Sequence, residues 1–597
     1  MQLQTIDWAI IALFFAISMG IGVFVYKQAG KNTSEFFLSG RSMPWWLLGV
    51  SMVATTFSAD TPNLVADIVR TNGVAGNWVW WAFLLTGMLT VFLYAKLWRR
   101  SKVLTDLEFY EIRYSGKEAA FLRGFRALYL GFFFNIIIMA TVSLAAIKMG
   151  GVLMGLSPIQ TILITSIITV IYSSMGGLKG VLITDFFQFF IAMLGSIWAT
   201  YVIIDIPEIG GLQNLISHEN VTDKLNLLPD FSNTDLMLTL FVIPIAVQWW
   251  SVWYPGAEPG GGGYIAQRML SAKDEKNAVW ATLLFNVVHY AVRPWPWILI
   301  ALASLIIFPT TQDIAVAFPN VDASIIKDDL SYPAMLSFLP SGLLGLVLAS
   351  LIAAFMSTIS THLNWGSSYM VNDFYQRFIR PDATSKELVM VARLSTFLLM
   401  VLAAVLALFL ENALQAFNIV LQIGAGTGLL FILRWFWYRI NAWSEITAMV
   451  VSFVVALYFQ LLHPALGFTE LSNSLQLVLG ILITTIAWVS VTLFTKPSNE
   501  AKLIAFYKLI KPGGPGWSKI TQKITIANNS TDTGITDKWD VPTGILCMVT
   551  GCFMVYALLF SVGYFIYSNL IAGTICFIIA LSALFVLLKL WRKLKMN

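Results

Sequence analysis

Charge is scarce in this sequence. Only 12% of its 597 residues are Asp, Glu, Lys or Arg, against about 25% in a soluble globular chain. Meanwhile 58% are hydrophobic and the mean hydropathy is +0.76. A chain so poor in charge cannot cover a water-facing surface, which makes it an all-α, polytopic membrane protein. Cysteine is also rare. Cys547, Cys552 and Cys576 all fall in the last two apolar segments and give neither a disulfide framework nor a metal-ligand spacing. HExxH and GxSxG are missing, and no span holds a pair of catalytic carboxylates, so an enzyme is not expected. No soluble kinase-like or nucleotide-binding stretch is present. The net charge of +5 needs no nucleic-acid partner, because basic residues kept on cytoplasmic loops account for it. The segment after MQLQTID lacks a basic n-region and a small-residue cleavage site, and reads as a retained helix.

What is abundant is apolar runs of roughly 20 residues, the length of a membrane span. About 15 are expected, near 7–26, 45–70, 76–98, 121–150, 157–175, 180–205, 235–254, 276–308, 341–372, 385–410, 413–437, 442–462, 475–495, 543–566 and 570–591. Basic residues set the orientation. Lys27, Lys31, Arg41, Lys96, Arg99, Arg100, Lys102, Arg268, Lys273, Lys276, Arg377, Arg380, Lys386, the loop 496–540 and the tail LKLWRKLKMN all fall on one side if the N-terminus is outside. The outer side then keeps only Arg70, Lys148, Lys224 and Lys327, so the C-terminus is placed in the cytoplasm. Residues 206–234 and 309–340 are polar loops long enough to fold locally over an outer vestibule.

Three segments carry polar chemistry at membrane depth. SGLLGLVLASLIAAFMSTISTHLNWGSSYMVNDFY, residues 341–375, holds Ser357, Thr358, Ser360 and Thr361 deep in an apolar run. Helical spacing puts Ala354, Ser357, Thr358 and Thr361 on one face with Ser360 beside it. Single hydroxyls pack helices together, but oxygens gathered in a dry site can replace the water shell of a hard cation. GGLKGVLITDFFQ, residues 176–188, breaks at Gly176 and Gly177 and buries Asp185 about two turns further on; such a carboxylate faces a cavity or a partner. WWLLGVSMVATTFSADTPNLVADIVR, from residue 45, is interrupted from Thr55 to Asn63 with Pro62 inside, the pattern of a discontinuous helix.

These motifs, together with MPWWLLGVSMVATTFSAD and GYIAQRML, resemble signatures of the sodium:solute symporter family over residues 7 to about 440. That family includes sodium–sugar, sodium–proline, sodium–sialic acid and iodide transporters. The resemblance implies a LeuT-type inverted-repeat bundle of two five-helix halves in one transporter domain. Residues 45–205 form the first half and 235–437 the second. Residues 7–26 add a helix before them and 442–597 add helices after them. It also implies a sodium-coupled symporter of a small polar solute, a sugar or related compound. It would sit in the cytoplasmic membrane of a bacterium, as a monomer or weak oligomer in the bilayer. The alternative is an organic anion or an amino acid. Carried over residue by residue, sodium would be held by the carbonyls of Ala54, Phe57 and Ala354 and the hydroxyls of Ser357 and Thr358. A second sodium would lie among Asp185, Ser360 and Thr361.

The solute site is less clearly implied. Trp80 stands where sugar transporters of the family carry a Glu, and Thr61 where they carry a sugar-binding Gln. This points to a more aromatic site near Trp78, Trp80 and Trp81, although tryptophans also anchor spans at the interface. Glu258, beside the glycines 260–263, and Gln422 are further solute candidates. Arg293 lies one turn from His289 in an apolar stretch, and a buried Arg needs a partner. The expected partner is Glu258 or Asp67; the alternative is an anionic solute held bidentately. His289 reads as a core histidine satisfied by its neighbours.

Overall fold

The computed structural model describes residues 3–594 and 596, apart from 30–31, 253–257, 320, 322, 411–423, 425, 470 and 528–538. Among these residues no strand occurs, only one isolated bridge between Met43 and Ala272. Ten helices among the described residues are long and apolar enough to cross a bilayer, from Val74–Ser101 to Leu570–Trp591. Shorter apolar helices fall at Thr5–Ile21, Trp45–Thr56, Pro158–Ile171 and Thr234–Ala246. About half of the expected span 413–437 lies outside the described residues, and its described part holds the helix Gly428–Leu433.

The bundle is sorted by what each helix meets. Leu343–Ser368, the hydroxyl helix, is buried along nearly its whole length. It packs on the helix Pro158–Ile204, on Ser385–Ala407 and on Trp45–Thr56. The peripheral helices are the opposite. Leu570–Trp591 exposes Leu570, Ile571, Ile575, Ile578 and Phe585, and Ser385–Ala407 exposes Leu394, Phe397 and Leu398. A continuous apolar belt of this kind is stable against lipid, not water.

Local chemistry sets the ends. Ser157 and Gln160 form a reciprocal cap at the start of Pro158–Ile204. Asp7, buried on the first helix, accepts hydrogen bonds from Gly342 N at 2.7 Å and Gly345 N at 2.8 Å. It thus caps the hydroxyl helix from a different segment and places a negative charge at its N-terminal dipole. The loop 206–234 folds into the short helices Leu212–Ser217 and Glu219–Thr222, and the loop 309–340 into Thr311–Ala317 and Ser331–Leu336.

The break expected at Gly176 and Gly177 is seen as one kink within Pro158–Ile204. Gly177 alone leaves helical geometry there, with φ 52° and ψ −161°. L-residues with a Cβ rarely adopt that conformation. The kink sets the direction of the segment that carries Asp185. Replacing Gly177 with Ala should destabilise the protein by about 1–3 kcal/mol, read as earlier thermal unfolding of the detergent-solubilised protein. Parent-like unfolding would show that the kink needs no glycine.

Candidate functional site

The discontinuous helix is present. Trp45–Thr56 ends where Phe57 leaves helical geometry, its N–H shared between Val53 O at 2.9 Å and Ala54 O at 3.1 Å. A new helix, Thr61–Asn72, begins with Pro62 in its first turn, where a missing N–H costs little. Residues 57–60 between them are not helical. Thr61 secures the break: its hydroxyl accepts from Ser58 N at 3.3 Å and reaches Thr56 O at 3.4 Å.

The hydroxyl helix lies directly against this break. Thr358 donates to the carbonyl of Thr55 at 2.9 Å, and the hydroxyl oxygens of Thr55 and Thr361 are 3.0 Å apart. Ser357 donates to Asp185 Oδ1 at 2.6 Å, and Ser51 donates to Asp185 Oδ2. Asp185 is wholly buried and therefore joins the hydroxyl helix to the first half of the broken helix.

The second expected ion set looks different in the structure. Arg268, from the helix Gly263–Ser271, enters it. Its guanidinium lies 3.6 Å from Asp185 and donates to Thr361 at 2.7 Å, Ser51 at 3.2 Å and Gln267 at 3.0 Å. Ser360 is not aimed at Asp185, because its hydroxyl turns back to Ser357 O at 3.1 Å. The sequence reading counts Arg268 among the basic residues of the cytoplasmic side, whereas the structure buries it completely beside Asp185. Its signal was an Arg inside GYIAQRML, where every residue from Gly263 to Ser271 is buried.

A cavity of about 150 Å³ opens beside the break. Thr61, Trp80 and Arg293, all expected, line it, together with Thr55, Thr56, Asp60, Asn63, His289, Tyr290 and Thr358. Trp80 stacks on Tyr290, centroids 5.8 Å apart, and meets the His289 ring edge-on at 5.7 Å. Trp78 and Trp81 are buried in aromatic contacts with each other, Phe241 and Tyr556, not placed as surface anchors. Residues 288–292 form a widened π-type turn, a feature that recurs at functional sites. It carries His289 and Tyr290 to the cavity just before Arg293. Lys148 and Asp329 pair at 2.6 Å on the cavity wall, and Arg70 pairs with Asp328 at 2.7 Å nearby.

The pairing expected for Arg293 is corrected. Glu258 is bound to Arg126 and lies outside the cavity lining, which removes it as partner and as solute contact. Asp67 lines the cavity but makes no ion pair with Arg293. Arg293 instead donates to Val53 O at 3.3 Å and Thr56 Oγ1 at 3.1 Å and lies over the Trp297 ring at 5.2 Å. A carbonyl, a hydroxyl and an aromatic face hold it, while its Nε–H is buried without an acceptor. His289 bonds Thr56 at 3.1 Å, the satisfied role expected. Gln422 lies outside the described residues. The site contains oxygen donors, an aromatic wall and fixed cations, which suits binding rather than bond-making.

Asp185 and Arg268 generate a prediction. Removing one partner of a buried charge pair costs about 3–5 kcal/mol. Asp185→Asn, measured in potassium so that sodium plays no part, should therefore unfold clearly earlier than the parent. Asp185→Asn combined with Arg268→Gln should recover part of the loss. Equal stability of parent and single variant would show that the pair is energetically idle.

Comparison with known proteins fits this geometry. The family model described as "Sodium:solute symporter family" matches residues 36–452. The sodium/glucose cotransporter of Vibrio parahaemolyticus is 26% identical over 83% of this chain and 92% of its own. The sodium/myo-inositol cotransporter of Canis lupus familiaris is 28% identical over 76% of this chain and 66% of its own. Among solved structures, a Na+-coupled sialic acid symporter in a substrate-bound outward-open state aligns with a TM-score of 0.66. It covers 83% of this chain and 99% of its own at 21% identity. At that identity the likeness speaks for the fold, the LeuT-type bundle expected from the sequence. With the model spanning most of the chain, this protein belongs to the sodium:solute symporter family.

Proposed function

We propose that the protein carries a small polar solute, a sugar or related compound, into the bacterial cell together with sodium. In this reading its N-terminus is outside and its C-terminus cytoplasmic, which the distribution of basic residues supports. The observation that carries this reading is the double position of Thr358. Its hydroxyl holds the broken helix at Thr55 O, and the same residue lines the cavity. An ion bound there and a solute bound beside it act on the same contact.

The donor set suits sodium. Ser357 gives its proton to Asp185 and Thr358 gives its proton to Thr55 O. Both hydroxyl oxygens therefore keep lone pairs for a cation. With the carbonyls of Ala54, Phe57 and Ala354, which the resemblance to the family implies, they would form an all-oxygen set, the kind a discontinuous helix supplies. Sodium bound here would hold the break against the hydroxyl helix and order the Thr55–Thr61 side of the cavity. The resulting coupling is reciprocal: sodium tightens solute binding as much as solute tightens sodium binding. Movement of the halves 45–205 and 235–437 against each other would then release both inside. The membrane potential adds about 2.3 kcal/mol per charge per 100 mV. A second ion at Asp185, Ser360 and Thr361 is disfavoured, since Ser360 turns back to its own helix. With Arg268 already between Asp185 and Thr361, we assign one sodium per cycle.

Arg293 in the cavity is the observation that favours the second reading, uptake of an organic anion or an amino acid.

Uptake into proteoliposomes tests the assignment. A sodium gradient should drive accumulation with a sodium Hill slope near one, and a potassium gradient should not. Ser357→Ala combined with Thr358→Ala should lower sodium-driven uptake at least about tenfold, the scale of 1.4 kcal/mol or more, with normal membrane insertion. Unchanged sodium affinity in that variant would remove these hydroxyls from the ion site.

A further inference from the structure

A second cavity lies behind the first. It measures about 90 Å³ and is walled by the first helix, residues 146–156, the start of Pro158–Ile204, one side of the hydroxyl helix and Ala59 in the break. The break divides the two spaces residue by residue. Ser58 and Asp60 line the polar cavity, and Ala59 between them lines the second. The other shared walls divide in the same way. Thr358 lines the polar cavity and Phe355, one turn earlier, the second. Ala145 and Lys148 line the first, Ala146 and Met149 the second. What fills one cavity therefore bears on the segments that shape the other.

The chemistry of the second cavity excludes water and polar solutes. Among the described residues, the polar side chains of its lining are Trp8, Thr161 and Thr165. The Thr161 hydroxyl donates to Ser157 O at 3.1 Å, and that of Thr165 to Thr161 O at 2.8 Å. Neither has a proton left for an occupant. A buried water needs several polar partners, and a polar solute would be stripped of its own. The mouth opens on the lipid-facing belt: Trp8 is 48% exposed and Ile164 47% exposed, beside the exposed Leu163 and Ile167. With the N-terminus outside, the hydroxyl helix starts at the outer face. Leu348 to Phe355 then lie about 8–18 Å along it, at 1.5 Å per residue, within the outer half of a hydrocarbon core about 30 Å thick. Trp8, next to the capping Asp7, sits where tryptophan meets lipid headgroups.

We infer that this cavity holds the hydrocarbon tail of an outer-leaflet phospholipid, and that the tail braces the break from the side opposite the solute. An empty apolar void deprives its walls of contacts. A tail supplies them in the arrangement where Thr358 meets Thr55 O, and so favours the arrangement that would bind sodium. The location stands on the cavity alone, whereas the coupling rests on the sodium reading above. Bilayer lipid is thus a ligand of the transport machinery and not only its solvent.

Two measurements on the full-length protein test this. In dioleoyl phosphatidylglycerol vesicles doped with a phosphatidylcholine that carries a diazirine near the end of one tail, illumination should label residues 146–165 or 348–355. Ala146→Phe, which fills the cavity, should lower that label at least about threefold. Label confined to peripheral helices such as Leu570–Trp591, or unchanged in the folded variant, would overturn the location. Sodium affinity, read from the sodium dependence of thermal unfolding, is then compared in nanodiscs of dioleoyl and of diphytanoyl phosphatidylglycerol, whose methyl-branched chains are too wide to enter. The parent should bind sodium at least about threefold more tightly with dioleoyl chains, and Ala146→Phe should erase the difference. Equal affinity of the parent in both lipids, or a difference that persists in the variant, would overturn the coupling. Absence of any sodium effect in either lipid would overturn the sodium reading and leave the location intact. Labelling and lipid comparison on the unaltered protein stand if Ala146→Phe does not fold, and Ala146→Leu is then the smaller filling.

Discussion

A helix broken at membrane depth exposes backbone groups that lipid cannot satisfy. How residues 55–60 are supplied with partners is the constraint on which this structure depends. The hydroxyl helix supplies one through Thr358 on Thr55 O, Thr61 braces the turn from the other side, and Arg293 takes Val53 O. The broken helix, the hydroxyl helix and the cavity are therefore one mechanical unit. A cation at the same oxygens would add to contacts already in place.

Around this unit charge is arranged in closed groups. Asp185 and Arg268 neutralise each other among hydroxyls, Glu258 is taken by Arg126, and Lys148 and Arg70 hold Asp329 and Asp328. Arg268 is of particular consequence, because with Gln267, which donates to Asn364 at 2.9 Å, it fastens the helix Gly263–Ser271 to the hydroxyl helix. Its guanidinium ties that helix to the broken helix and the hydroxyl helix at once. Movement of any one of the three must rearrange the Asp185 cluster.

Much of this was legible in the residues. Polar residues from Thr55 to Asn63 with Pro62 announced the break, and four hydroxyls in five positions announced the facing helix. Both signals are local, set by spacing within one segment. The partner of a buried charge is not local. Desolvation correctly demanded partners for Arg293 and Asp185 but could not name them. Arg293 found a carbonyl, a hydroxyl and a tryptophan face, none of which stands out in a sequence. Asp185 found Arg268 from 83 positions along the chain, and Asp7 reached the start of the hydroxyl helix from 335 positions away. Asp60, which lines the cavity, was passed over because one acid at the edge of a break looks like a helix-start residue.

The central claim is that sodium fastens the break to the hydroxyl helix. Amide hydrogen exchange of the purified protein, without solute, measures this directly in sodium and in potassium at equal ionic strength. Protection tracks local opening, and a ligand that binds only the closed arrangement slows it. Sodium should slow exchange across residues 54–60 and 354–361 while leaving the peripheral helix Leu570–Trp591 unchanged. Identical exchange of 54–60 and 354–361 in the two salts would contradict the account.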